Sequence, residues 1–171
     1  MPLTLQGGRR KLVAFTTDIT ADPADPEALS LTDLTAGIDI QCKVLKSDLR
    51  LSPTASDTVP DSPYCATGNA TVFGASNYEG SLTPFAYYDA TGALDATEGD
   101  VFALLTAEKG AHIWIVDRWG KPEDEPLAAG DDYRLWHVIT DEGQDPTDVG
   151  GYIKQIVPLG VQRMWRGTIA A

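Results

Sequence analysis

Residues 113–116 read Ile113-Trp114-Ile115-Val116, four consecutive apolar side chains in a chain of 171 residues. Successive side chains of a β-strand point to opposite faces of a sheet, so a continuous apolar run predicts a strand that is buried on both faces. Other parts of the chain must then cover each face of that sheet. The sequence on either side of the run indicates which parts are available.

The segment before this run predicts a helix. Thr97-Glu98-Gly99-Asp100 has the hydroxyl, and three residues later the carboxylate, that are typical of a capping box. Val101, Leu104 and Leu105 then fall on one face at helical spacing, and a lysine and a glycine at residues 109–110 suit the last turn and the stop. We expect one substantial helix here, of about three turns.

Most of the remaining sequence is typical of β-strands separated by turn residues. Segments rich in apolar and β-branched residues predict strands at residues 11–19, 38–44, 70–73, 78–88, 113–116, 133–140, 152–157 and 161–169, the last two broken near Pro158 and Gly160. The expected fold is mainly β, a sandwich or barrel-like arrangement of about eight strands with one packed α-helix.

Two local patterns precede and overlap the second predicted strand. Ser30 and Asp33 have capping-box spacing and Gly37 is a candidate residue just beyond a helix end, so residues 30–37 predict a short helix. Residues 38–44 alternate between apolar and polar side chains, which predicts a half-buried strand with Cys42 as a small buried residue. A disulfide between Cys42 and Cys65 remains open, although it is uncommon in a reducing cytoplasm.

The chain predicts a single domain with two irregular segments. Residues 1–10 are polar and rich in glycine and arginine, so we expect a flexible N-terminal arm before a domain at residues 11–171. Residues 47–64 contain three prolines and many Ser, Thr and Asp residues without periodicity, which predicts a long loop. A loop of this length within one domain is usually functional or disordered.

Charge is unevenly distributed along the chain. The net charge is −12, but residues 1–11 and residues 149–171 each carry +3, and the segment between them carries −18. The acidic balance argues against nucleic-acid binding through a general basic surface. The pattern serves either solubility alone or contacts between the basic ends of one copy and acidic surfaces of the next. No apolar run reaches the roughly 20 residues that cross a bilayer, and no secretory signal is visible.

No motif for catalysis, for a cofactor or for a metal is recognisable. His112 and His137 both fall in predicted strands among apolar neighbours, which favours core or interface roles over a catalytic base. A Ser-His-Asp site assembled from distant residues remains open, because triads need no fixed spacing. Residues 141–148 contain three aspartates but lack the closing glutamate of an EF-hand loop. Four tryptophans could stack a sugar, although the apolar neighbours of Trp114 favour core packing.

The order of these elements resembles the major tail tube proteins of long, non-contractile-tailed bacteriophages. The likeness covers nearly the whole chain and rests on layout and on phrases such as Asn77-Tyr78-Glu79-Gly80-Ser81-Leu82 and Gly130-Asp131-Asp132-Tyr133. The resemblance implies a β-sandwich-like subunit with a flanking helix. It also implies that six subunits form a ring, that rings stack into a hollow tube, and that DNA passes through the tube.

Contact and lumen residues follow from the same resemblance. Family members use a terminal arm and a long loop between rings, and the candidate contact residues here are Arg9, Arg10, Lys11, Leu49, Arg50, Val59 and Tyr64. A conduit should not bind DNA, so its lumen should be acidic or neutral. Candidate lumen residues on polar strand faces are Asp39, Gln41, Lys43, Glu79, Ser81 and Thr83, of which Lys43 departs from an acidic lining.

The predicted function is therefore that of a structural virion protein without catalysis, cofactor or membrane association. Expected partners are further copies of the chain, the tape measure protein and the tail terminator and tail tip proteins. The expected locations are the phage tail and, during assembly, the cytoplasm of the host bacterium. A non-catalytic β-sandwich that binds carbohydrate, and a tail-completion or head–tail joining protein, are the alternatives.

Overall fold

Antiparallel strands dominate the computed structural model, which describes residues 8–19, 29–59, 72–147 and 150–171. Predictions for residues 1–7 and for Tyr64 and Cys65 lie outside the described residues. The elements are β1 (Arg10–Phe15), β2 (Ile38–Asp39), a 3₁₀ turn (Lys46–Asp48), β3 (Arg50–Pro53), β4 (Thr58–Val59), β5 (Val72–Phe73), β6 (Tyr78–Leu82), α1 (Asp100–Thr106), β7 (His112–Trp119), β8 (Asp132–Thr140) and β9 (Val157–Thr168).

Seven of the strands form one sheet in the order β2-β1-β7-β8-β9-β6-β3, and β4 pairs with β5. The segments that follow β2 and β6 also pair, because Leu45 N donates to Thr83 O at 2.8 Å and Phe85 N donates to Lys43 O at 2.9 Å. These bonds bring regions near the two ends of the sheet order together. The predicted mainly β, barrel-like fold with one helix is confirmed.

Strand β7 is buried on both faces, as the run at residues 113–116 predicts. Ile113 and Ile115 belong to one core cluster, whereas Trp114 and Val116 belong to a second cluster on the opposite face. Six consecutive residues of β7 are buried, and the strand pairs with β1 on one side and β8 on the other. Two separate layers of chain therefore have to cover this sheet.

The first layer contains helix α1 and the strands β3 and β6. Val101 and Leu105 of α1 are buried against Leu51 of β3 and Leu82 of β6 in the first cluster. The helix has seven residues and is shorter than predicted, because it begins only at Asp100. The residues before it form a turn.

That turn is stabilised by a different side chain from the one the capping pattern indicates. The carboxylate of Asp95 accepts hydrogen bonds from Thr97 N at 2.8 Å and Glu98 N at 2.9 Å. These bonds lower the pKa of Asp95, with the bond from Glu98 N having the largest effect. The predicted cap at Thr97 is therefore wrong.

The second layer is the segment at residues 29–37, which covers the opposite face with Leu29 and Leu34. Ser30 Oγ donates to Asp33 Oδ2 at 2.7 Å and Ser30 N donates to the same atom at 3.0 Å, so the predicted capping interaction is present. The backbone nevertheless forms consecutive turns with i→i+3 hydrogen bonds instead of a helix. The predicted short helix is therefore wrong, although its anchoring pair is correct.

Three further expectations differ from the structure. Only Ile38–Asp39 of the segment 38–44 is a strand, and Cys42 is exposed because it lies in the turn that follows Ile40. The expected break near Pro158 is absent, since β9 continues from Val157 to Thr168. Residues 152–156 form isolated bridges and bends in place of a strand.

The segment predicted as a loop at residues 47–64 contains β3 and β4 in its described part. Arg50–Pro53 pairs with Tyr78–Leu82, and the pairing continues through Thr54 N to Asn77 O at 2.8 Å and Asp57 N to Ala75 O at 3.0 Å. Thr58–Val59 then pairs with Val72–Phe73. The prediction of an irregular loop is wrong for these residues, which form one side of a long β-hairpin.

Gly37 is required because there is no room for a larger side chain at this position. Its φ is not positive, so the backbone conformation itself does not require glycine. A Cβ at this position would overlap with the side chains of Val13 and Phe15. Gly37→Ala is expected to lower the free energy of unfolding by about 1–3 kcal/mol, because packed side chains have to move. Chemical denaturation followed by tryptophan fluorescence measures the change.

Gly160→Ala is the matched control for this substitution. The nearest neighbours of a Cβ at Gly160 would lie 3.6 Å away, an ordinary contact distance. We expect its free energy of unfolding to stay within about 0.5 kcal/mol of the unsubstituted chain. Equal stabilities of the two variants would show that space at Gly37 is not limiting.

Candidate assembly surfaces

Two of the predicted contact residues, Arg10 and Lys11, make ion pairs within the chain. Arg10 Nε and Nη2 donate to the two carboxylate oxygens of Asp117 at 2.7 and 2.9 Å, and the side chain of Asp117 is fully buried. Lys11 Nζ donates to Asp39 Oδ2 at 3.0 Å and to Glu123 O at 3.2 Å. Both cations therefore stabilise the start of β1 against β7 and β2.

Arg9 remains exposed beside the turn that follows β7. Its Nη1 donates to Gly120 O at 3.2 Å, and Gly120 N donates to Arg9 O at 2.9 Å. Glu123 N donates to Gly8 O at 3.1 Å. Residues 8–10 of the predicted arm are thus attached to the body of the subunit, and residues 1–7 lie outside the described part.

The other predicted contact residues lie on or beside the hairpin. Leu49 is half-buried against the first core cluster, and Arg50 is exposed with its Nε 3.4 Å from Glu79 Oε1. Val59 pairs with Val72 at the end of the described part of the first hairpin strand. On the returning strand Phe73 is 72% exposed, a large apolar surface that the sequence reasoning did not single out.

The first three candidate lumen residues have different environments. Asp39 is exposed and pairs with Lys11, whereas Gln41 is half-buried and its Oε1 accepts a hydrogen bond from Leu12 N at 3.2 Å. Lys43 Nζ lies 2.6 Å from Asp100 Oδ1, so its charge is compensated at the start of α1. Only Asp39 of these three presents a carboxylate to solvent.

The remaining three candidates lie on and after β6. Glu79 and Ser81 are half-buried, and Ser81 Oγ donates to Asp48 O at 3.3 Å. Thr83 is fully buried and its Oγ1 donates to Asp48 Oδ2 at 3.3 Å, so it contributes to no surface of the subunit. The structure brings this set close to the first set, because the segments around Lys43 and Thr83 are paired.

An exposed aromatic and aliphatic patch lies between residues 85–88 and 152–153. Tyr152 is 82% exposed and its ring lies 5.8 Å from that of Phe85, while Ile153 is 60% exposed and Tyr88 is half-exposed. Contiguous apolar surface of this kind usually marks a contact between proteins. The sequence showed these residues only as members of predicted strands, and their exposure depends on the irregular backbone at residues 152–156.

Strand β9 has one open edge. Leu159 to Thr168 pair with β8 apart from Gln162, but on its other side β6 reaches only Val157 and Pro158. Residues 162–168 therefore have no strand partner on that side among the described residues, and none of them is fully buried. Unpaired N–H and C=O groups along such an edge are ready to pair with another chain.

The two histidines hydrogen-bond to each other on the sheet surface. His112 Nδ1 lies 2.8 Å from His137 Nε2, and the ring of His137 stacks on Trp114 at 4.7 Å. Burial lowers the pKa of His137, the nearby His112 lowers it further, and Asp18 raises it. Within the described residues no group of three or more His, Cys, Asp or Glu side chains could hold a metal ion.

Two of the four tryptophans are buried, and a guanidinium group lies over the ring of each of the other two, Trp119 and Trp165. Trp136 is fully buried and Trp114 is 9% exposed. Trp119 is more exposed, but the guanidinium groups of Arg10 and Arg134 lie over its ring at 4.7 and 5.3 Å. No helix in the described residues is long and apolar enough to span a membrane.

Comparison with known proteins identifies the family. The model of a family described as phage tail tube protein matches residues 1–171, the entire chain. The chain belongs to this phage tail tube family. It is therefore a structural component of a phage tail, and it assembles with other tail proteins.

A solved structure shares the fold of this tail tube protein. A chain of the baseplate of the anti-feeding prophage, determined by cryo-electron microscopy and six-fold symmetrised, superposes with a TM-score of 0.51 at 14% sequence identity, with 97% of each chain covered. At this identity the likeness shows the fold alone. No curated protein sequence matches the chain.

The buried pair between Arg10 and Asp117 should dominate the stability of the start of β1 in this tail tube protein. Asp117→Ala is expected to lower the free energy of unfolding by about 3–5 kcal/mol, because it leaves the Arg10 charge without its partner. Arg10→Ala should have a similar effect. Urea denaturation of both variants and of the double variant measures the coupling.

Arg9→Ala is the control for these variants, because Arg9 is exposed and makes no ion pair with any described residue. Its free energy of unfolding should change by less than about 0.5 kcal/mol. A double variant that loses the full sum of the two single losses would contradict a direct coupling between Arg10 and Asp117.

Proposed function

We propose that six copies of this protein form a ring and that rings stack into the tube of a long, non-contractile phage tail. The tube is the conduit through which DNA is ejected into the host, and the subunit acts without catalysis or a cofactor. The observation that carries the proposal is the open edge of β9 in a chain whose whole length matches the tail tube family.

An open edge of this length needs a partner. Exposed strand edges promote uncontrolled pairing between chains, and a closed ring of subunits removes them. The anti-feeding prophage chain comes from a structure that is six-fold symmetrised, which supports a six-membered ring for a subunit of the same fold. The ring would cover the edge at residues 162–168 with a surface of the neighbouring copy.

The net charge of −12 supports a conduit for DNA. Duplex DNA carries about one negative charge per 1.7 Å of its axis, so an acidic wall repels it and favours sliding over binding. Asp39 and Glu79 are the lumen candidates that keep a carboxylate at the surface. Gln41, Lys43 and Ser81 are the polar candidates beside them.

Contacts between rings are assigned to the arm and the hairpin. Arg9, Arg50 and Phe73 are exposed, and the hairpin extends through β4 and β5 away from the paired base of β3 and β6. Val59 remains a candidate on the same hairpin. Tyr64 remains a candidate that lies outside the described residues. Proposed partners in the tail are the tape measure protein and the tail terminator and tail tip proteins, with assembly in the host cytoplasm before the virion is complete.

Negative-stain electron microscopy of the purified protein tests this proposal directly. We expect rings or stacked tubes with six-fold end views and a central channel about as wide as a DNA duplex, ~20 Å, whose wall repels the phosphate backbone. Analytical ultracentrifugation across a concentration series provides an independent measure of ring formation. A protein that stays monomeric at high concentration, with and without a tail extract, would contradict the proposal.

Removal of residues 1–7 should separate ring stacking from folding. This deletion leaves Gly8, Arg9 and the ion pair of Arg10 intact, so the melting temperature should stay within about 2 °C of that of the full chain. We expect single rings to form but stacks to become shorter in electron micrographs. Tubes of normal length would show that the arm is not a contact between rings.

A further inference from the structure

Three basic side chains without an ion-pair partner in the described part of the chain lie on the neighbouring strands β8 and β9. Seven of the 13 Lys and Arg side chains pair with a carboxylate of the same chain. Arg134, Arg163 and Arg166 have no such partner among the described residues. We call these three residues of β8 and β9 the arginine edge. Arg134 and Arg166 lie on one face of the sheet, and Arg163, three residues before Arg166, lies on the other face of the same strand.

The pairing register of β8 and β9 places two of these arginines side by side. Arg134 lies directly opposite Arg166 in the β8–β9 ladder, and like charges in this position are destabilising unless an anion lies close by. The guanidinium of Arg134 rests over Trp119 at 5.3 Å, and that of Arg163 over Trp165 at 5.2 Å. Stacking orders the planar groups but leaves their N–H donors available for carboxylates.

Two carboxylates lie nearby but do not neutralise the edge. Asp117 lies directly opposite Arg134 in the β7–β8 ladder, but both of its carboxylate oxygens accept hydrogen bonds from Arg10. Asp132 is two residues before Arg134, and its Oδ1 accepts a hydrogen bond from Thr168 Oγ1 at 2.9 Å. No carboxylate oxygen lies within 4 Å of the nitrogen atoms of Arg163 or Arg166 in the described structure. Both side chains are exposed, and both residues lie within the stretch 162–168, where β9 has no described strand partner on the side away from β8.

A separate acidic surface lies at the turn over the start of β1. Glu123, Asp124 and Glu125 follow β7, and we call them the acidic turn; none of them forms an ion pair with a described residue. The turn leans over β1, because Glu123 N donates to Gly8 O at 3.1 Å and Glu123 O accepts from Lys11 Nζ at 3.2 Å.

We propose that the arginine edge of one copy binds the acidic turn of the next copy in the ring. Strands β1 and β9 are separated by three strand spacings, about 14 Å, so the acidic turn over β1 and the arginines of β9 are two different surfaces of the subunit. Two different, complementary surfaces of one chain give a head-to-tail contact, which closes into a ring when the rotation permits. The inference rests on the proposed ring and adds the residues that join its subunits.

The chemistry of both surfaces suits this contact. Arginine binds carboxylates through two parallel N–H···O bonds, which fixes orientation as well as charge. Pairing along the open edge of β9 would bring the neighbouring backbone beside Arg163 and Arg166. Contact at the two exposed surfaces also makes ring formation sensitive to salt, because ions screen exposed charges over about 8 Å at 0.15 M ionic strength.

Charge reversal on each surface tests the contact. Arg163→Glu with Arg166→Glu, and separately Asp124→Arg with Glu125→Arg, should each raise the protein concentration needed for ring formation by at least about tenfold, because like charges then face each other. Analytical ultracentrifugation and electron microscopy measure ring formation. Circular dichroism and thermal melting confirm that each variant is folded.

The matched control reverses two lysines elsewhere that form no ion pair with a described residue, Lys46→Glu with Lys154→Glu, and changes the net charge by the same amount as the arginine variant. It should form rings like the unsubstituted chain. An equimolar mixture of the two reversed variants provides the decisive measurement. In alternation around an even-membered ring, every interface again joins an acidic to a basic surface, so the mixture should recover rings that neither variant forms alone.

The outcomes distinguish this contact from the ring itself. Rings formed by the unsubstituted chain and equally well by either reversed variant would overturn the contact and leave the proposed function standing. Folded variants whose mixture fails to form rings would also overturn it. Normal assembly with altered retention of DNA would assign the arginines to phosphate instead. Absence of rings from the unsubstituted chain would remove both proposals.

Discussion

Burial of β7 on both faces is the constraint on which the rest of the subunit depends. Ile113 and Ile115 need one apolar layer and Trp114 and Val116 need another, so a single sheet with one solvated face is excluded. Helix α1 and the base of the hairpin provide the first layer, and residues 29–37 provide the second. Surfaces for assembly are therefore confined to positions outside these layers: the open edge of β9, the hairpin and the turns.

Ion pairs at the end of β7 attach the turn after this strand to the body. Arg118 is fully buried, with its Nη1 3.5 Å from Asp131 Oδ2 and its Nη2 bonded to Pro122 O, and Lys121 also pairs with Asp131. Burial raises the pKa of Asp131, but hydrogen bonds from Lys121 and Ala128 N and the two positive charges outweigh it and lower the pKa. This carboxylate stays ionised and orients the turn whose acidic residues face solvent.

Sequence patterns predicted the strands whose side chains are strongly buried. They failed where tertiary contacts override the structure that the local sequence favours. The apolar run at residues 113–116 indicated double burial because no other strand environment accommodates it. The hairpin was missed because Arg50–Pro53 contains only one buried residue, Leu51, which is too few to produce an alternating pattern. Cys42 continued an alternation that the backbone ends at Ile40, where a turn begins. Of the candidate contact residues, the sequence could not distinguish Arg9 from Arg10, since the partner of Arg10 is 107 positions away.

The open edge of β9 raises the question of why two subunits would not simply pair through it. Two such edges placed together would bring Arg163 and Arg166 of both copies into proximity, and that repulsion disfavours a symmetric dimer. The unpaired residue Gln162, which interrupts the register between His137 and Val138, further disturbs regular edge-to-edge pairing. An acidic partner surface lacks this penalty. In the ring that we propose, charge on the edge would therefore favour a head-to-tail neighbour over symmetric pairing of two β9 edges, and a head-to-tail contact is the kind that closes into a ring.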